Sequence, residues 1–298
     1  MNSNHNHAYL IMAHKDDYTF RSLLRLIDDQ RNTIFIHMDR KNSTYNFEKV
    51  IKYVQTKVIH VKRIDVKWGG YSLIEAELTL LQTAVKYGDF QYYHLLSAED
   101  LPIKSQDEIH AFFDDASQKQ YEFVHFDSIS GEKYCDRVYY YYLYTDLVGR
   151  SRNIFSKILR NLQFVSLDLQ KRLKVKRNTD LKVMKGAEWF SITNDFAEYI
   201  IERREWIKKK FKFSFCGDEI FLQTILFNSP FVDRLYLASF DNSYRQIVRY
   251  IDWERGGPYV FREEDFNQLI NNKDAMFARK FQCAVDSTII DSLKEKLT

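Results

Sequence analysis

The sequence predicts an α/β fold, in which helices flank a mostly parallel β-sheet, and two observations predict it. Short runs rich in β-branched and aromatic residues alternate with segments whose apolar residues recur every three or four positions. The 298 residues, of which 45% are hydrophobic, suffice for one sizeable core or two closely fused cores. Because 9 Gly and 3 Pro leave little material for linkers, we expect a single domain spanning residues 1–298.

The first half of the chain shows a regular β-α-β-α order. In chain order the predicted elements are strand Ala8–Ala13, helix Tyr18–Asp29, strand Thr33–Met38, helix Phe47–Gln55, strand Val58–Val61, helix Ser72–Lys86, strand Tyr92–Leu96, helix Gln106–Phe113 and strand Tyr121–Phe126. Ligands of parallel sheets bind beyond the carboxyl ends of the strands. We therefore expect the chemistry in three segments that follow strands: His14–Asp16, Asp39–Lys41 and Ser97–Asp100.

The charge balance and the cysteines argue against several classes of protein. The net charge of +3 is the small difference between 44 basic and 41 acidic residues, so no nucleic-acid partner is expected. Three widely separated cysteines argue against a disulfide framework or a zinc cluster, and free thiols indicate a reducing compartment. Residues 1–7 are polar and contain no basic region, cleavage site or long apolar span. The expected location is therefore the cytoplasm.

Residues 149–177 differ from the rest of the chain in their charge. Nine basic residues accompany one acidic residue, Asp168. The apolar residues from Ile154 to Leu173 recur at three- and four-residue spacing, which predicts one hydrophobic stripe on a cationic helix. Two interpretations stay open: a surface helix that packs on the core with a solvated basic face, or an interfacial helix that lies on anionic lipid at the inner face of the cell membrane. The segment separates a first half, about 1–130, from a second, about 178–298.

Common nucleotide-binding and hydrolase signatures are missing from the sequence: it has no Walker A loop, no GxGxxG after a strand, no HExxH, no CxxC and no GxSxG. Six ordered blocks remain, and they are His37–Asp39, Lys67–Gly70, Ser97–Lys104, Gly186–Phe190, Gly217–Glu219 and Phe277–Phe281. With Leu10–His14 they resemble glycosyltransferase family 14, which groups core-2/I-branching β-1,6-N-acetylglucosaminyltransferases with peptide O-xylosyltransferases and bacterial relatives. The resemblance spans nearly the whole chain and implies a GT-A fold with a Rossmann-like nucleotide-binding half and an acceptor-binding half.

The resemblance also implies a reaction. A sugar, N-acetylglucosamine or xylose, would pass from a UDP-sugar to a hydroxyl of a glycan acceptor in surface polysaccharide or oligosaccharide synthesis, with no metal ion or other cofactor. Glu219 matches the family's catalytic glutamate, which deprotonates the attacking hydroxyl, so an α-linked donor would give a β-linked product. Arg279 and Lys280 match the basic pair that neutralises the departing diphosphate.

A set of substrate contacts follows from the same resemblance. Asp39 matches the acid that contacts uridine, and Glu188 with Trp189 matches an acid–tryptophan pair at the sugar. The other expected donor contacts are Met12, His14, Val66, Lys67, Trp68, Asp100 and Gly257, and the expected acceptor contacts are Trp253 and Arg255.

Other interpretations stay open. Glu99 and Asp100 stand where many GT-A enzymes place a metal-binding DXD motif, although the spacing lacks the second aspartate. A non-catalytic glycan- or nucleotide-binding protein could keep the fold without turnover. The aromatic run Tyr139–Tyr142 fits either an acceptor-facing surface or a half-buried strand. A lipid-linked acceptor would explain the basic segment, because binding to an anionic membrane would bring enzyme and acceptor together.

Overall fold

The computed structural model describes residues 6–127, 132–239 and 244–298, and residues 1–5 of the polar N-terminal segment lie outside the described residues. A six-stranded sheet with the strand order β3-β2-β1-β4-β7-β6 forms its centre, and a three-stranded sheet has the order β5-β9-β8. The strands are β1 (His7–Ala13), β2 (Asn32–Met38), β3 (Lys57–His60), β4 (Tyr92–Ser97), β5 (Asp100–Pro102), β6 (Phe123–Val124), β7 (Phe190–Thr193), β8 (Arg249–Ile251) and β9 (Phe277–Arg279). The first four strands of the large sheet are parallel, while β7 runs antiparallel to β4 and β6.

Helices cover both faces of the large sheet. The helices of the described chain are α1 (Tyr18–Leu26), α2 (Phe47–Val50), α3 (Tyr71–Tyr87), α4 (Gln106–Gln118), α5 (Glu132–Tyr139), α6 (Thr145–Val148), α7 (Ile154–Arg172), α8 (Asn194–Glu202), α9 (Arg204–Phe211), α10 (Phe221–Phe227), α11 (Phe266–Ile270) and α12 (Thr288–Leu297). Side chains alternate along β1, so that Ala8 and Leu10 pack under α3, α8 and α10, while Tyr9 and Ile11 pack under α1, α4 and α12. The α/β class, with a mostly parallel sheet between two layers of helices, is therefore confirmed.

The small sheet brings two distant sequence blocks together. In the antiparallel pair of β5 and β9, Asp100 lies opposite Arg279 and Pro102 lies opposite Phe277. Phe277 and Ala278 are buried, and their packing fixes the position of β9. Arg279, the last residue of β9, and Lys280, which follows it, therefore lie at the edge of the sheet. The Ser97–Lys104 and Phe277–Phe281 blocks are thus neighbours in the fold.

Three predicted elements are shorter in the structure, and the first of them, the predicted helix Tyr18–Asp29, ends at Leu26. The predicted helix Phe47–Gln55 ends after one turn and a short 3₁₀ segment, because the Asp28 carboxylate accepts hydrogen bonds from the backbone N–H groups of Gln55 and Thr56. Of the predicted strand Tyr121–Phe126, only the two residues of β6 form a strand. Glu122, just before β6, forms an isolated parallel bridge with Leu235.

The strand considered for Tyr139–Tyr142 is wrong. Tyr139 ends α5, and the following residues run as irregular chain. Their backbone groups are taken by other partners: the Tyr139 carbonyl accepts from the Arg177 N–H, and the Tyr142 N–H donates to the Phe213 carbonyl. No strand ladder is left for them to join within the described chain.

Helix α7 lies on the surface with its polar side against the protein. Gln163 and Gln170 exchange hydrogen bonds with the backbones of Tyr141 and Tyr144. The opposite side carries an exposed row of large apolar residues, which we call the apolar stripe of α7: Ile154, Phe155, Ile158, Leu162, Val165, Leu169 and Leu173. Of the apolar residues predicted to form one stripe, Leu159 is buried against the protein, but the interpretation that the stripe as a whole packs on the core is wrong. Among the described residues, no helix is long and apolar enough to cross a membrane.

Candidate active site

Two neighbouring cavities open at the carboxyl edge of the large sheet, where the sequence predicted the chemistry. The first has a volume of about 650 Å³ and the second about 640 Å³, and the two share Trp68, Leu73 and Arg150 in their walls. We call them the first and second cavities. The predicted residues His14, Asp39, Val66, Lys67 and Trp68 line the first cavity. The predicted residues Trp68, Glu188, Trp189, Glu219, Trp253, Gly257, Arg279 and Lys280 line the second.

Asp39 is the central polar group of the first cavity. It directly follows β2, and its backbone N–H donates to the Ala13 carbonyl at the end of β1. One carboxylate oxygen accepts the Lys41 N–H at 2.9 Å, and the other lies 3.1 Å from the Lys41 Nζ. The carboxylate is buried but faces the cavity, so it is placed to accept hydrogen bonds from a bound polar ligand.

The Lys67–Gly70 block forms the wall between the two cavities. A side chain at Gly70 would collide with Asp146, because a Cβ there would lie 2.1 Å from its Oδ1. Asp146 instead accepts hydrogen bonds from the Tyr71 and Ser72 N–H groups and thereby caps the first turn of α3. This contact fixes α6 and the chain that leads into α7 beside Trp68.

Glu219 lies in the second cavity at the start of α10. The chain turns sharply before it, since Cys216 adopts the left-handed conformation (φ 47°, ψ 51°) and Gly217–Glu219 form a 3₁₀ turn. The Glu219 carboxylate lies 3.0 Å from Arg137 Nη1 and 3.7 Å from Lys185 Nζ. These two cations hold the carboxylate at the cavity wall, where part of it stays exposed to solvent.

Gly186 ties Glu219 to the Gly186–Phe190 block. The Gly186 N–H donates to the Glu219 carbonyl at 2.8 Å, and the Ala187 N–H donates to the His125 ring at 3.0 Å. A Cβ at Gly186 would lie 1.9 Å from the His125 carbonyl oxygen, so only glycine allows this approach. The block that carries Glu188 and Trp189 is therefore attached directly to the turn that carries Glu219.

Three further carboxyl groups, those of Glu188, Asp218 and Glu77, lie in or beneath the floor of the second cavity. Burial raises the pKa of Glu188 and of Asp218, and repulsion from a neighbouring acid raises each further: Asp218 acts on Glu188, and Glu219 acts on Asp218. Burial also raises the pKa of Glu77 on α3 well above its usual value, with repulsion from Glu188 and Asp218 added. Within the described chain neither Glu77 oxygen has a hydrogen-bond partner. The arrangement favours protonated acids next to Glu219.

The predicted cations Arg279 and Lys280 each meet an acid of the Ser97–Lys104 block. Arg279 Nη1 lies 2.6 Å from Asp100 Oδ1, and Lys280 Nζ lies 2.9 Å from Glu99 Oε2. The Arg279 guanidinium also stacks 4.5 Å from the centre of the Trp189 ring. These contacts orient both cations toward the second cavity.

Three predicted contacts do not reach either cavity wall. Met12 is partly buried against the core that Ala8 and Leu10 form with α3, α8 and α10. Asp100 is buried behind Arg279, where it orients that side chain. Arg255 is held by Asp252 at 2.6 Å and by Asp265 at 2.7 Å, away from the cavity that Trp253 lines. Asp100 thus acts on the site through another residue, and Arg255 is occupied by structural ion pairs.

Sequence reasoning missed the most central cation of the site. Arg150 lines both cavities and stacks 4.6 Å from the centre of the Trp68 ring, and it forms no ion pair with any described residue. Lys185, Arg137 and Tyr244 were missed as well, although Lys185 and Tyr244 line the second cavity. Arg150 stood among nine basic residues of one segment, and nothing in the spacing distinguished it.

The sequence of the chain is similar to that of known glycosyltransferases. A xylosyltransferase of Caenorhabditis elegans is 25% identical over 281 residues, covering 87% of this chain and 32% of the relative. The human N-acetyllactosaminide β-1,6-N-acetylglucosaminyltransferase is 23% identical over 296 residues, covering 92% of this chain and 68% of the relative. The chain thus spans about a third of the length of the xylosyltransferase it matches.

A solved structure and a family profile complete the comparison. The apo crystal structure of mouse xyloside xylosyltransferase 1 aligns over 91% of this chain and 96% of that chain, with 11% identity and a TM-score of 0.38, a likeness too weak to carry an argument. The profile of the family described as Branch, core-2/I-branching enzyme, matches residues 7–271, which is most of the chain. The chain therefore belongs to the core-2/I-branching enzyme family.

Proposed function

We propose that the protein is an inverting glycosyltransferase that moves a sugar from a UDP-sugar to a hydroxyl of a glycan acceptor without a metal ion. One observation carries the proposal: a carboxylate, Glu219, and two cations, Arg279 and Lys280, line the same cavity as Trp189. This cavity joins the one that holds Asp39. The named activities of the relatives, xylosyl and N-acetylglucosaminyl transfer, support the same chemistry.

The first cavity suits the nucleotide in this proposal. Asp39 accepts hydrogen bonds from the uridine, and the exposed Trp68 ring offers an apolar face to it. The diphosphate lies at the junction of the cavities, within reach of Arg150. The sugar then enters the second cavity against Trp189 and Glu188, whose raised pKa lets it donate as well as accept a hydrogen bond.

The transfer is a single displacement. The acceptor hydroxyl gives its proton to the Glu219 carboxylate while its oxygen forms a bond to the anomeric carbon. The bond from that carbon to the UDP oxygen breaks, and its electron pair leaves with the β-phosphate. Arg279, Lys280 and Arg150 stabilise the charge that develops on the diphosphate, and attack opposite the leaving group inverts the anomeric configuration.

The acceptor has a separate approach to the second cavity. Trp253 is 49% exposed, and its ring lies 6.3 Å from that of Tyr244, while Gly257 and Pro258 complete the rim. Flat aromatic faces of this kind bind sugar rings by stacking. The proposal therefore assigns acceptor binding to Trp253 and Tyr244, and it assigns Arg255 no contact with the acceptor.

The metal-dependent alternative needs Glu99 and Asp100 as ligands. Both carboxylates already pair with cations of the protein, and Asp100 also accepts from the Ser97 N–H and hydroxyl. A divalent ion would have to displace Arg279 and Lys280 to bind there. The ion pairs therefore favour protein cations as the partners of the diphosphate.

A test of the proposal measures UDP release from a panel of UDP-sugars, including UDP-N-acetylglucosamine and UDP-xylose, with excess EDTA or with Mn²⁺. We expect one donor to turn over equally well in both conditions, and we expect NMR of the product to show a β-linkage. Strict dependence on Mn²⁺ would favour the metal alternative. Tight UDP binding without turnover of any donor would favour a binding protein.

A further inference from the structure

The apolar stripe of α7 is exposed to solvent in a way that a helix of a soluble protein avoids. Its seven residues have relative exposures between 47% and 74%. A helix on a protein surface ordinarily turns its apolar side to the core and its polar side to water. Here a mostly polar side, which includes the buried Leu159, is turned inward, and the apolar stripe is left exposed in the described structure.

The attachment of α7 shows that this orientation is built into the fold. Gln163 and Gln170 bind the Tyr141 backbone from the inner side of the helix, and Gln163 also accepts from the Tyr144 N–H. Asn153 caps the first turn by accepting from the Ser156 N–H, and Arg160 donates to the Ser151 carbonyl. Rotation of the helix by half a turn would break the hydrogen bonds of the two glutamines and leave the backbone groups of Tyr141 and Tyr144 without these partners.

The charge around the stripe indicates what covers it. Three basic side chains, Arg152 before the helix, Lys157 in its first turn and Lys174 after its end, are exposed, and none forms an ion pair with a described residue. The acid Asp168 is neutralised by Arg172 at 2.7 Å. An apolar strip framed by free cations is complementary to a surface whose interior is apolar and whose outer layer carries negative charge.

We propose that α7 is an interfacial helix that docks the protein on an anionic lipid bilayer. The helix lies in the plane of the membrane with its apolar stripe among the acyl chains, and Arg152, Lys157 and Lys174 reach the headgroups. With 19 residues, the helix extends along the surface for roughly 28 Å. The proposal does not depend on sugar transfer, because binding to vesicles is measured without substrate.

The position of α7 connects this docking surface to the cavities. Arg150, which lines both cavities, precedes the helix by four residues, and Trp68 and Phe164 share a third cavity of about 420 Å³ beneath α7. Docking therefore brings the membrane close to the mouth of the site. If the proposed transfer is correct, an acceptor carried on a lipid would reach the second cavity from that side.

The test is sedimentation of the purified chain with vesicles of phosphatidylcholine alone or with roughly 30% phosphatidylglycerol added. We expect the wild type to bind the anionic vesicles preferentially. The variant Ile158→Gln/Leu162→Gln/Val165→Gln is expected to bind at least about tenfold more weakly, because it removes the centre of the stripe while keeping good helix formers. Circular dichroism and the melting temperature check that the variant is folded.

A matched pair separates the stripe from general surface hydrophobicity. Val165→Gln should weaken vesicle binding, whereas Val285→Gln, at a residue 42% exposed elsewhere on the surface, should not. The charge variant Lys157→Gln/Lys174→Gln should lose binding most at low salt, and Lys52→Gln/Lys86→Gln should not.

Three results would overturn the proposal. The first is that the wild type fails to prefer anionic vesicles, and the second is that the triple variant binds them as well as the wild type does. The third is that the wild type self-associates and ignores vesicles while the triple variant is monomeric, which would assign the stripe to a second copy of the chain.

Discussion

The sheet carries a buried polar cluster near each of its edges, and the two clusters differ in how their members are paired. Near the amino edge His7, His94 and His110 lie together, with the rings of His7 and His110 stacked 4.0 Å apart. His94 contacts His7 at 3.2 Å and Ser191 at 2.8 Å. At the carboxyl edge, the acids Glu77, Glu188 and Asp218 crowd together beside Glu219, and the Glu77 carboxyl has no described hydrogen-bond partner.

The difference indicates that the histidines stabilise the fold, whereas the acids belong to the candidate site. His7 and His94 are enclosed and hydrogen-bonded to each other, and burial lowers the pKa of both and keeps both rings neutral. The acids, by contrast, line or underlie an open cavity, and burial raises the pKa of Glu188 and of Asp218. Crowded, incompletely paired acids at a cavity are a feature of functional sites rather than of cores.

The largest expected effect is on the reaction. Glu219→Gln should lower UDP-sugar turnover by about 100-fold or more, because the amide cannot take the acceptor proton. Folding should not suffer, since the side chain is partly exposed. Steady-state kinetics and melting temperature measure the two effects, with Glu48→Gln as the exposed control. If Glu219→Gln keeps the turnover of the wild type, Glu219 is not the base of the reaction.

At the amino edge the expected effect is on stability. His94→Leu should lower the free energy of unfolding by about 2–3 kcal/mol, because it leaves Ser191 and His7 without their partner in a buried place. Urea denaturation measures the loss. The specific activity of the folded fraction should stay at the wild-type level, and a selective loss of turnover would mean that the two clusters are not separate in function.

A smaller effect is expected at the junction of the cavities. Arg150→Gln should raise the KM for the donor by roughly tenfold, since it removes a guanidinium that pairs with no described acid from the place assigned to the diphosphate. Arg152→Gln, two residues away and outside both cavity walls, is the matched control. If the two variants have the same KM for the donor, Arg150 does not contact the diphosphate.

The smallest effect concerns pH. The folded protein holds the Glu77 proton more tightly than the unfolded chain does, so stability falls as pH rises above the unfolded pKa of about 4.3. Glu77→Gln removes this loss, and we expect the variant to gain roughly 1 kcal/mol over the wild type near neutral pH and little under acidic conditions. Urea denaturation across the pH range measures the difference. A gain independent of pH would show that Glu77 is not protonated in the folded protein.

The sequence predicted the elements whose signal is local. The apolar runs of β1, β2 and β4 alternate with helices of clear period, and the predicted bounds of these three strands agree with the structure to within one residue. The place of Glu219 near a helix start was also predictable, because Gly217 and an acidic first turn precede an apolar helical pattern. Contacts between distant parts of the chain were not predictable, and Asp28 ended the second predicted helix in this way.

The sequence also left the orientation of α7 undetermined. A period of 3.6 residues shows that a helix has an apolar side, but not which way that side faces. The glutamines that decide the matter, Gln163 and Gln170, carry no signal of their own until their partner Tyr141 is known. The same limit applies to Arg137, which pairs with Glu219 across a long stretch of chain.

The close approach at Gly186 limits how this site can be redesigned. Because its N–H holds the turn of Glu219 and its Cα faces the His125 carbonyl, the sugar-facing block and the base behave as one rigid part. A library of substitutions at position 186 should yield only glycine among active clones. New acceptor preferences must instead be sought at the exposed rim around Trp253 and Tyr244, where side chains can change without moving the base.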